Sequence, residues 1–339
     1  MDIFGEKLII KLWDSIADKG IGSLLKPWQI RREGRALNDV RREDLLALAQ
    51  AEVDAAAIRS GQKLLLPDGT LLNQPKINDL AYLQLPSSDQ LLLPIIEQVA
   101  DRNVRAEAIR REISLSKAVI YAEEELANET QEPSSQKVSD DWLLRWRDGA
   151  AGVCSEELQS LWGKVLAGEV KSPGRYSLRT LEFVKNISQD EAKSIEKMSP
   201  FVVADIIFRG DKPLLESKEV NLTLLLSLQE LGIVSGVESV GGLSISWKSL
   251  LADRFQQILV SYSRVLMVKH SDVTRTLQIE IYQITSLGRQ ILSLGAFRAD
   301  EDYLRALGAT IKGQGFDVEI GDCIPCGENQ INMFNLQPL

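Results

Sequence analysis

Apolar positions along the first sixty residues recur at helical spacing. Residues 1–25 place apolar side chains three and four positions apart, with charges on the opposite side, which predicts an amphipathic helix. Residues 28–60 are rich in Arg, Glu, Ala and Leu and stop at Gly61, which predicts a second, long helix with basic residues near its start. Segment 1–60 therefore resembles a helical hairpin or a coiled-coil arm.

Two interruptions divide the chain after this segment. Residues 61–94 hold four of the eleven prolines and keep no sustained period, which predicts a linker with little regular structure. Residues 95–138 begin with a helical pattern that runs to about residue 129, and they close on a Pro/Ser/Gln stretch that predicts a second linker.

Serine residues mark the start of several short helices in the module 139–210. Ser139, Ser155 and Ser188 each precede a helical pattern, and serine is a favoured N-cap residue. Glu191 follows Ser188 by three positions, which is the spacing of a capping box. These signals predict that the module is compact and entirely helical.

Ser199 and Pro200 give a further helix signal at the end of this module. Proline is favoured at the first helical position because its missing N–H has no partner there. The apolar stretch FVVADIIF that follows is therefore predicted to be helical, and the module is expected to hold four or five short helices.

Residues 211–339 mix helical and strand patterns. A helical run closes on Gly232, the stretches LSISW, RVLMVKH and LQIEIYQIT have strand patterns, and Thr285 precedes another helix. The tail is predicted to add one helix and one short strand. A helix, a two-stranded ribbon and a strand leading into QITSLGRQIL resemble a winged-helix module. The expected fold class is mainly α, with a C-terminal α+β, winged-helix-like region.

Composition excludes several classes of protein. Of 339 residues, 44% are hydrophobic and 26% charged, which is typical of a globular protein with two or three domains. Three cysteines are too few, and odd in number, for a disulfide scaffold, so we expect a cytoplasmic location. Charges interrupt the first apolar residues, so we expect no signal peptide, and no apolar run approaches the roughly 18 residues of a membrane-spanning helix.

Basic residues cluster behind the first amphipathic helix, although the net charge of −9 argues against a general attraction to nucleic acid. Such a cluster predicts a surface that meets anionic lipid at the inner membrane, or nucleic-acid phosphates. The alternative is that the helix packs on its long neighbour or seals an oligomer. The residues of the cluster are Lys26, Arg31, Arg32, Arg35, Arg41 and Arg42.

Nucleic acid is the less favoured of these partners. The run NLTLLLSLQEL stands where a winged-helix module has its recognition helix, and it is almost wholly apolar. A helix without cations on its exposed side is poorly suited to a DNA groove. We therefore expect a homo-oligomer or a protein partner.

Residues 161–180 read as a helix that is broken by Ser-Pro-Gly and restarted at Ser177. Gly174 is free to take a positive φ, and Ser177 is available as a cap. Arg175 and Arg179 flank the new helix N-terminus, where backbone N–H groups favour an anion. We predict a phosphate or carboxylate site of Arg175, Ser177 and Arg179, the alternative being a structural corner in which Arg179 pairs with a nearby glutamate. The glutamates considered are Glu169 and Glu182.

Catalytic motifs are scarce. No GxxxxGK[ST] or GxGxxG loop occurs, which argues against nucleotide enzymes, and His270 is the only histidine. A zinc site of Cys154, Cys323, Cys326 and His270 has suitable ligand types but only one correctly spaced pair, so a plain C-terminal turn is the alternative for CIPC.

A nuclease-like pair gives one more candidate. Glu216 and Lys218 resemble the carboxylate-x-lysine half of a metal-dependent nuclease site, but no partner aspartate is identifiable. We therefore predict no catalytic residue, no metal and no cofactor.

Two stretches resemble the signatures of a bacterial family known as domain of unknown function 2806. They are LLKPWQIRREGRA (24–36) and LWGKVLAGEVKSPGRYSLRTLEFV (161–184). The resemblance implies a bacterial source and the order basic N-terminal helix, helical module and mixed C-terminal region. It implies no activity and no catalytic residue.

The expected function is that of a non-enzymatic oligomeric or partner-binding module. A role at the membrane surface, as an accessory factor or effector in phage defence, is expected by analogy with bacterial proteins of similar build. The alternatives are a winged-helix nucleic-acid-binding regulator and a metal-dependent hydrolase or nuclease.

Overall fold

The chain divides into two compact units, residues 1–181 and residues 182–339. The computed structural model describes residues 4–17, 37–66, 70–73, 92–127, 129, 132–239, 242–327 and 330–339. Within those residues the N-terminal unit is helical apart from one short ribbon, and the C-terminal unit combines helices with two antiparallel sheets. The prediction of a mainly α chain with a C-terminal α+β region is confirmed.

One long helix organises the N-terminal unit. The other main helices of the unit, α1, α2 and α5, each pack on α3, and α1 also contacts α5. In chain order the elements are α1 Phe4–Ala17, α2 Leu37–Arg59, β1 Lys63–Leu65, β2 Leu71–Asn73, α3 Leu92–Ala127, α4 Asp140–Ala150, α5 Glu156–Lys171 and α6 Leu178–Asn186, the last crossing into the second unit.

Helix α1 buries its apolar face inside the N-terminal unit. Leu8, Leu12 and Ile16 recur at helical spacing and are fully buried against the unit. Gly5 lets α1 approach closely, because a Cβ there would lie 2.6 Å from the carbonyl oxygen of Ala127 in α3. The apolar face that a membrane anchor would insert is therefore occupied by the chain itself.

The predicted linker 61–94 is partly ordered. Strands β1 and β2 pair antiparallel, with Leu64 opposite Leu72, and α3 begins at Leu92. The expectation of little regular structure was therefore wrong for this ribbon, because the sequence Pro-Asp-Gly between two apolar runs is a hairpin signal. Residues 74–91 lie outside the described part of the chain.

Three of the four serine signals coincide with helix starts. Ser155 accepts a hydrogen bond from the N–H of Leu158, and Ser188 forms the expected capping box with Glu191. Ser139 stands at the N-cap of α4 without a hydrogen bond from its side chain to the helix. The local caps of this region were therefore predictable from the sequence.

The fourth serine signal was wrong. Ser199–Phe201 form a single 3₁₀ turn, after which the chain enters a tight turn and a strand rather than a helix. Ala204 and Asp205 take positive φ values of 47° and 61° in that turn, which closes between Val203 and Ile206. The β-branched run Ile206–Ile207 is instead buried on both sides of a strand.

The C-terminal unit holds two sheets of different construction. In the first, β8 lies between β3 on one side and β4 and β5 on the other, and the second has the order β10-β9-β7-β6. The elements are α7 Gln189–Met198, β3 Ile206–Phe208, α8 Lys212–Ser217, α9 Leu222–Glu230, β4 Val234–Ser235, β5 Leu243–Trp247, β6 Phe255–Ser261, β7 Arg264–His270, β8 Leu277–Ile284, α10 Ser286–Leu292, α11 Glu301–Gly313, β9 Asp317–Gly327 and β10 Gln330–Pro338.

Helix α11 joins the two sheets into one core. It packs on β9 and β7 of the second sheet. Its buried Tyr303 hydroxyl accepts a hydrogen bond of 2.5 Å from the N–H of Phe208 in β3, and the Tyr303 ring stands edge-on to Phe201 at 5.3 Å. Tyr303 thus belongs to the helix that covers the second sheet, and its side chain contacts the first sheet.

The tail contains more strand than expected. In place of one short strand, β9 and β10 are eleven and nine residues long and form an antiparallel hairpin. The CIPC stretch lies within β9, so the interpretation as a plain turn was also wrong. Strand β6, FQQILVS, was missed altogether, although its buried positions alternate strictly.

The close contact between α5 and α3 predicts a specific sensitivity at Gly163. A Cβ added there would lie 2.6 Å from the Tyr121 Cβ and 2.9 Å from the Ala118 carbonyl oxygen, so Gly163→Ala is expected to force the helices apart. We expect a loss of about 1–3 kcal/mol in the free energy of unfolding, measured by urea denaturation.

Gly313→Ala is the matched control, because a Cβ on this helical glycine would meet nothing within 4 Å. This variant is expected to be neutral or to gain up to about 1 kcal/mol. Equal stability of the two variants would contradict the tight helix contact.

Candidate binding site at the corner between α5 and α6

The predicted anion site lies at the corner that joins α5 to α6. Gly174 has a φ of 89°, and a Cβ there would meet nothing within 4 Å, so glycine is required by the backbone and not by crowding. The N–H of Arg175 donates to the carbonyl of Ser172 and closes the turn at 3.0 Å. The corner is thus a tight reversal of the chain.

Glu169 fills the inside of this corner. Its side chain comes from the last turn of α5, and the residue is only 2% exposed. One carboxylate oxygen accepts a hydrogen bond from the N–H of Gly174 at 2.6 Å, and the other accepts from the N–H of Tyr176 at 2.9 Å. The corner therefore has a built-in anion that binds its backbone donors.

Two opposing influences act on the Glu169 carboxyl. Burial raises its pKa above the ordinary value of 4.5, while the backbone N–H groups of Tyr176, Gly174 and Arg175 and the charge of Arg175 pull it down. Burial is the larger influence, because it deprives the charged form of water.

Ser177 acts as a cap for α6. Its hydroxyl accepts a hydrogen bond from the N–H of Thr180 at 3.2 Å and lies 3.0 Å from the Thr180 hydroxyl. Thr180 is buried, so the pair is part of the interior of the unit. This contact gives Ser177 a structural role that needs no ligand.

Arg175 and Arg179 are exposed at the rim of the corner. The Arg175 guanidinium lies 5.5 Å from the centre of the Tyr176 ring, a cation–π distance. Glu169 already holds the N–H groups of Gly174 and Tyr176, so an external anion at this rim would be held mainly by the two guanidinium groups. The anion site stays a prediction, now placed on the outside of the corner.

Aromatic side chains connect the corner and α5 to helix α4. The Trp142 indole N–H of α4 donates to the carbonyl of Tyr176 at 2.7 Å, and the Trp146 indole N–H donates to the carbonyl of Trp162 at 2.9 Å. Gly168 leaves room for the Tyr176 ring, since a Cβ there would lie 2.7 Å from it. Within the stretch LWGKVLAGEVKSPGRYS, Trp162, Gly168 and Tyr176 therefore pack the helices together or accept hydrogen bonds through their backbone.

A small cavity of about 270 Å³ lies elsewhere in the N-terminal unit and was missed by the sequence analysis. Arg110 of α3 reaches across it, with a guanidinium nitrogen 2.9 Å from the Cys154 sulfur and an ion pair to Glu107. The hydrogen bonds that Arg110 donates to the Glu107 carboxylate raise the pKa of Arg110 further above its already high value. Glu52 and Arg59 of α2 also line the cavity, so it has charges of both signs.

A larger groove of about 720 Å³ lies between α1 and residues 134–140. Lys11 lines it and donates to the carbonyl of Ser134 at 2.9 Å, and burial lowers the pKa of this lysine. Asp14, Lys137 and Asp140 line the same groove. Its charges alternate in sign, so the groove has no single-sign binding surface.

The structure does not assemble the zinc candidate from the described residues. Cys323 is buried beside the start of β7, with its sulfur 3.5 Å from the carbonyl oxygen of Tyr262, while His270 ends that seven-residue strand. Burial also raises the pKa of the Cys323 thiol. The side chain of Cys326 lies outside the described residues, and among those described no three His, Cys, Asp or Glu residues are grouped to hold a metal ion.

The nuclease-like pair is also placed unfavourably. Glu216 lies in the short helix α8. Lys218 forms ion pairs with Asp300 at 3.0 Å and Asp302 at 3.3 Å. Its ammonium group is thus committed to the start of α11.

The basic cluster behind α1 falls largely outside the described part of the chain. Arg41 and Arg42 lie in α2, but nothing is described of their side chains. The other members, Lys26, Arg31, Arg32 and Arg35, fall in residues 18–36, which are not described. In the part of the chain that the structure covers, no helix is both long enough and apolar enough to cross a bilayer.

Residues 98–216 match the model of a family described as protein of unknown function (DUF2806). The match covers about a third of the chain, and over that part it confirms the resemblance noted in the sequence. The signature at 161–184 lies within this match and the one at 24–36 lies before it. Comparisons with curated proteins and with solved structures found no significant match.

Removal of the internal anion is expected to destabilise the corner. Glu169→Ala leaves the buried N–H of Tyr176 without its acceptor, and we expect a loss of about 1–3 kcal/mol in the free energy of unfolding. Glu169→Gln keeps one acceptor oxygen and should lose less. Urea denaturation measures both, with the exposed Glu157→Ala of the same helix as control, expected within about 0.5 kcal/mol of wild type.

The raised pKa of Glu169 predicts a direction of pH dependence. The folded chain keeps the proton to a higher pH than the unfolded chain, so this group stabilises the fold most below its unfolded pKa and loses that contribution as the pH rises through its folded pKa. The stability of wild type minus that of Glu169→Gln should therefore fall as the pH rises above the ordinary carboxyl pKa of 4.5. A difference that rises over this range would show that the hydrogen bonds outweigh burial.

Proposed function

We propose that this chain is a non-catalytic module that acts by binding proteins. The observation that carries the proposal is the exposed side of α9. Leu222 is 58% exposed, and Thr223, Ser227 and Glu230 lie in the open beside it, while Leu225 and Leu228 face the core. The surface of this helix is thus apolar and hydroxyl-bearing, with one acid and no base.

The topology of the C-terminal unit supports a winged-helix-like reading of this helix. The elements concerned are, in chain order, a helix (α7), a strand (β3), two helices (α8 and α9), the strands β4 and β5, and the strand β8. Strand β8 lies between β3 on one side and β4 with β5 on the other. Residues 248–276, which include the β6–β7 hairpin, come between β5 and β8, where a winged-helix module has its wing. This order of elements supports the assignment of α9 as the counterpart of a recognition helix.

A nucleic-acid role is the less favoured use of this arrangement. Groove-binding helices obtain affinity and register from contacts to phosphates, chiefly through Arg and Lys, and specificity from polar contacts to bases. The segment Leu222–Glu230 contains no Arg or Lys, and Glu230 would repel the backbone. An apolar side chain such as Leu222 is better matched to a protein surface.

Helix α2 adds a second surface suited to protein contact. Leu46 and Val53 are 64% and 61% exposed and lie seven residues apart, with the exposed Ala49 and Ala56 between and after them. This 3-4-3 spacing is that of a coiled-coil seam. The helix packs on α3 through another stripe, whose members are Leu48, Ala55 and Ile58. The exposed stripe is therefore additional to the core.

A membrane role for α1 is not included, because the apolar face of this helix is packed in the N-terminal unit. The placement of Glu216 and Lys218, and the separation of Cys323 from His270, give no support to a metal-dependent hydrolase.

Site-specific photocrosslinking tests the proposal. A benzophenone amino acid at Leu222, with the chain expressed in its own organism, should give discrete adducts that protease removes and nuclease leaves intact. The same substitution at Leu250, which is 62% exposed on a loop, is the matched control and should give none. Nuclease-sensitive adducts at Leu222 would instead support the nucleic-acid alternative and overturn the proposal.

A further inference from the structure

The last hairpin of the chain extends past its sheet. Strand β9 pairs with β7 only from Asp317 to Asp322, and beyond that point it pairs with β10 alone. Strand β10 is the edge of the sheet, and within the described residues no strand pairs with its outer side. An open row of backbone donors and acceptors is therefore presented along Ile331–Phe334, where the pairing with β9 is regular.

This edge lacks the protection that exposed strands usually have. Natural proteins blunt such edges with charged side chains, prolines or bulges. Residues 330–339 contain no charged side chain. The pairing of β10 with β9 is irregular between Gln330 and Ile331 and again between Phe334 and Gln337, where Asn335 has a φ of 54°, and Pro338 comes after both. The stretch Ile331–Phe334 is left without any of these devices.

Apolar side chains accompany the open edge. Ile324 of β9 is 57% exposed and Phe334 of β10 is 41% exposed. Asn332 is opposite Ile324, and Phe334 is opposite Asp322, so the two apolar residues are diagonal neighbours on one face of the ribbon. Ile331 and Met333 lie on the other face and are half-buried.

We propose that β10 pairs edge to edge with β10 of a second copy of this chain, antiparallel about a two-fold axis at Asn332. This inference rests on the proposed protein-binding function and names its partner. The axis puts Ile331 opposite the partner's Met333, Gln330 opposite the partner's Phe334, and the two Asn332 amides opposite each other. Apolar residues then meet on one face, and the two four-stranded sheets become one of eight strands.

The uncharged strand β10 is a place where two copies of this acidic chain can meet. The chain has a net charge of −9, so two copies repel each other over most of their surface. The uncharged strand lets them meet without like charges directly opposite, which would destabilise a strand pair. Because the same patch is used by both copies, the contact closes as a dimer and does not propagate.

Asn332→Cys tests the register directly. Opposite residues of an antiparallel pair have Cβ atoms about 4.5–5.5 Å apart, near the spacing that a disulfide tolerates, so mild oxidation should give a covalent dimer. Gln337→Cys is the matched control, because ten residues of strand would separate the two sulfurs and no dimer should form. Both variants also carry Cys154→Ser and Cys326→Ser to remove background thiols.

Light scattering tests the contact without new cysteines. Wild type should have twice the 37.7 kDa mass of one chain, and Ile331→Lys with Met333→Lys, which sets like charges opposite each other, should have the mass of one. Leu46→Lys with Val53→Lys makes the same charge change on α2 and should stay dimeric. Circular dichroism confirms that each variant folds.

Three results would overturn the inference. They are a monomeric wild type, a dimer that persists unchanged in the chain with both lysine substitutions on β10, and a covalent dimer from Gln337→Cys but not from Asn332→Cys. Dissociation by the α2 substitutions alone would place self-association on α2, which refutes the β10 contact while the protein-binding function stands. Nuclease-sensitive adducts at Leu222 would refute that function whatever the β10 result.

Discussion

The close approach of α5 to α3 at Gly163 is the constraint on which the N-terminal unit depends. A missing side chain lets the helices meet where a Cβ would touch backbone atoms of Ala118 and Ala122. Trp162, the residue before Gly163, packs on Gly149 of α4, so adjacent residues fix two helix contacts. The path of α5 then sets where Glu169 is placed, and Glu169 in turn holds the corner.

Glu169 also explains why the corner resembles a ligand site. Backbone N–H groups that converge on one point attract an anion, and arginines beside them strengthen the impression. Here the anion is a side chain of the same fold, and the backbone N–H groups of Gly174 and Tyr176 and the nearby Arg175 charge reduce the cost of burying it without cancelling that cost. The same pattern of residues therefore serves equally well for an internal support and for a pocket, and only the position of one carboxylate distinguishes them.

The sequence predicts well the features that depend on interactions between residues close together in the chain. Helix caps such as Ser155 and Ser188 act over three residues, so their signals are complete in the local text. Ser199 and Pro200 gave an equally strong local signal, yet tertiary pairing of Ile206–Phe208 with β8 prevailed over it. Strand β6 and the β9–β10 hairpin depend on partners far along the chain. The sequence analysis considered Glu169 only as a partner for Arg179. Its position in the sequence does not reveal that the backbone N–H groups of Gly174 and Tyr176 bind its carboxylate.

The two units show different consequences of leaving apolar surface uncovered. On α2 the exposed Leu46 and Val53 belong to a helix whose backbone is already hydrogen-bonded, so a partner there would gain only side-chain packing. On β10 both the side chains and one row of backbone groups are open, so a partner strand gains hydrogen bonds as well, whatever its sequence. Sequence-tolerant pairing of this kind is a hazard for a chain crowded among others. A symmetric partner that occupies the edge removes the hazard, and this is a physical reason for an uncharged strand to persist at the rim of an acidic protein.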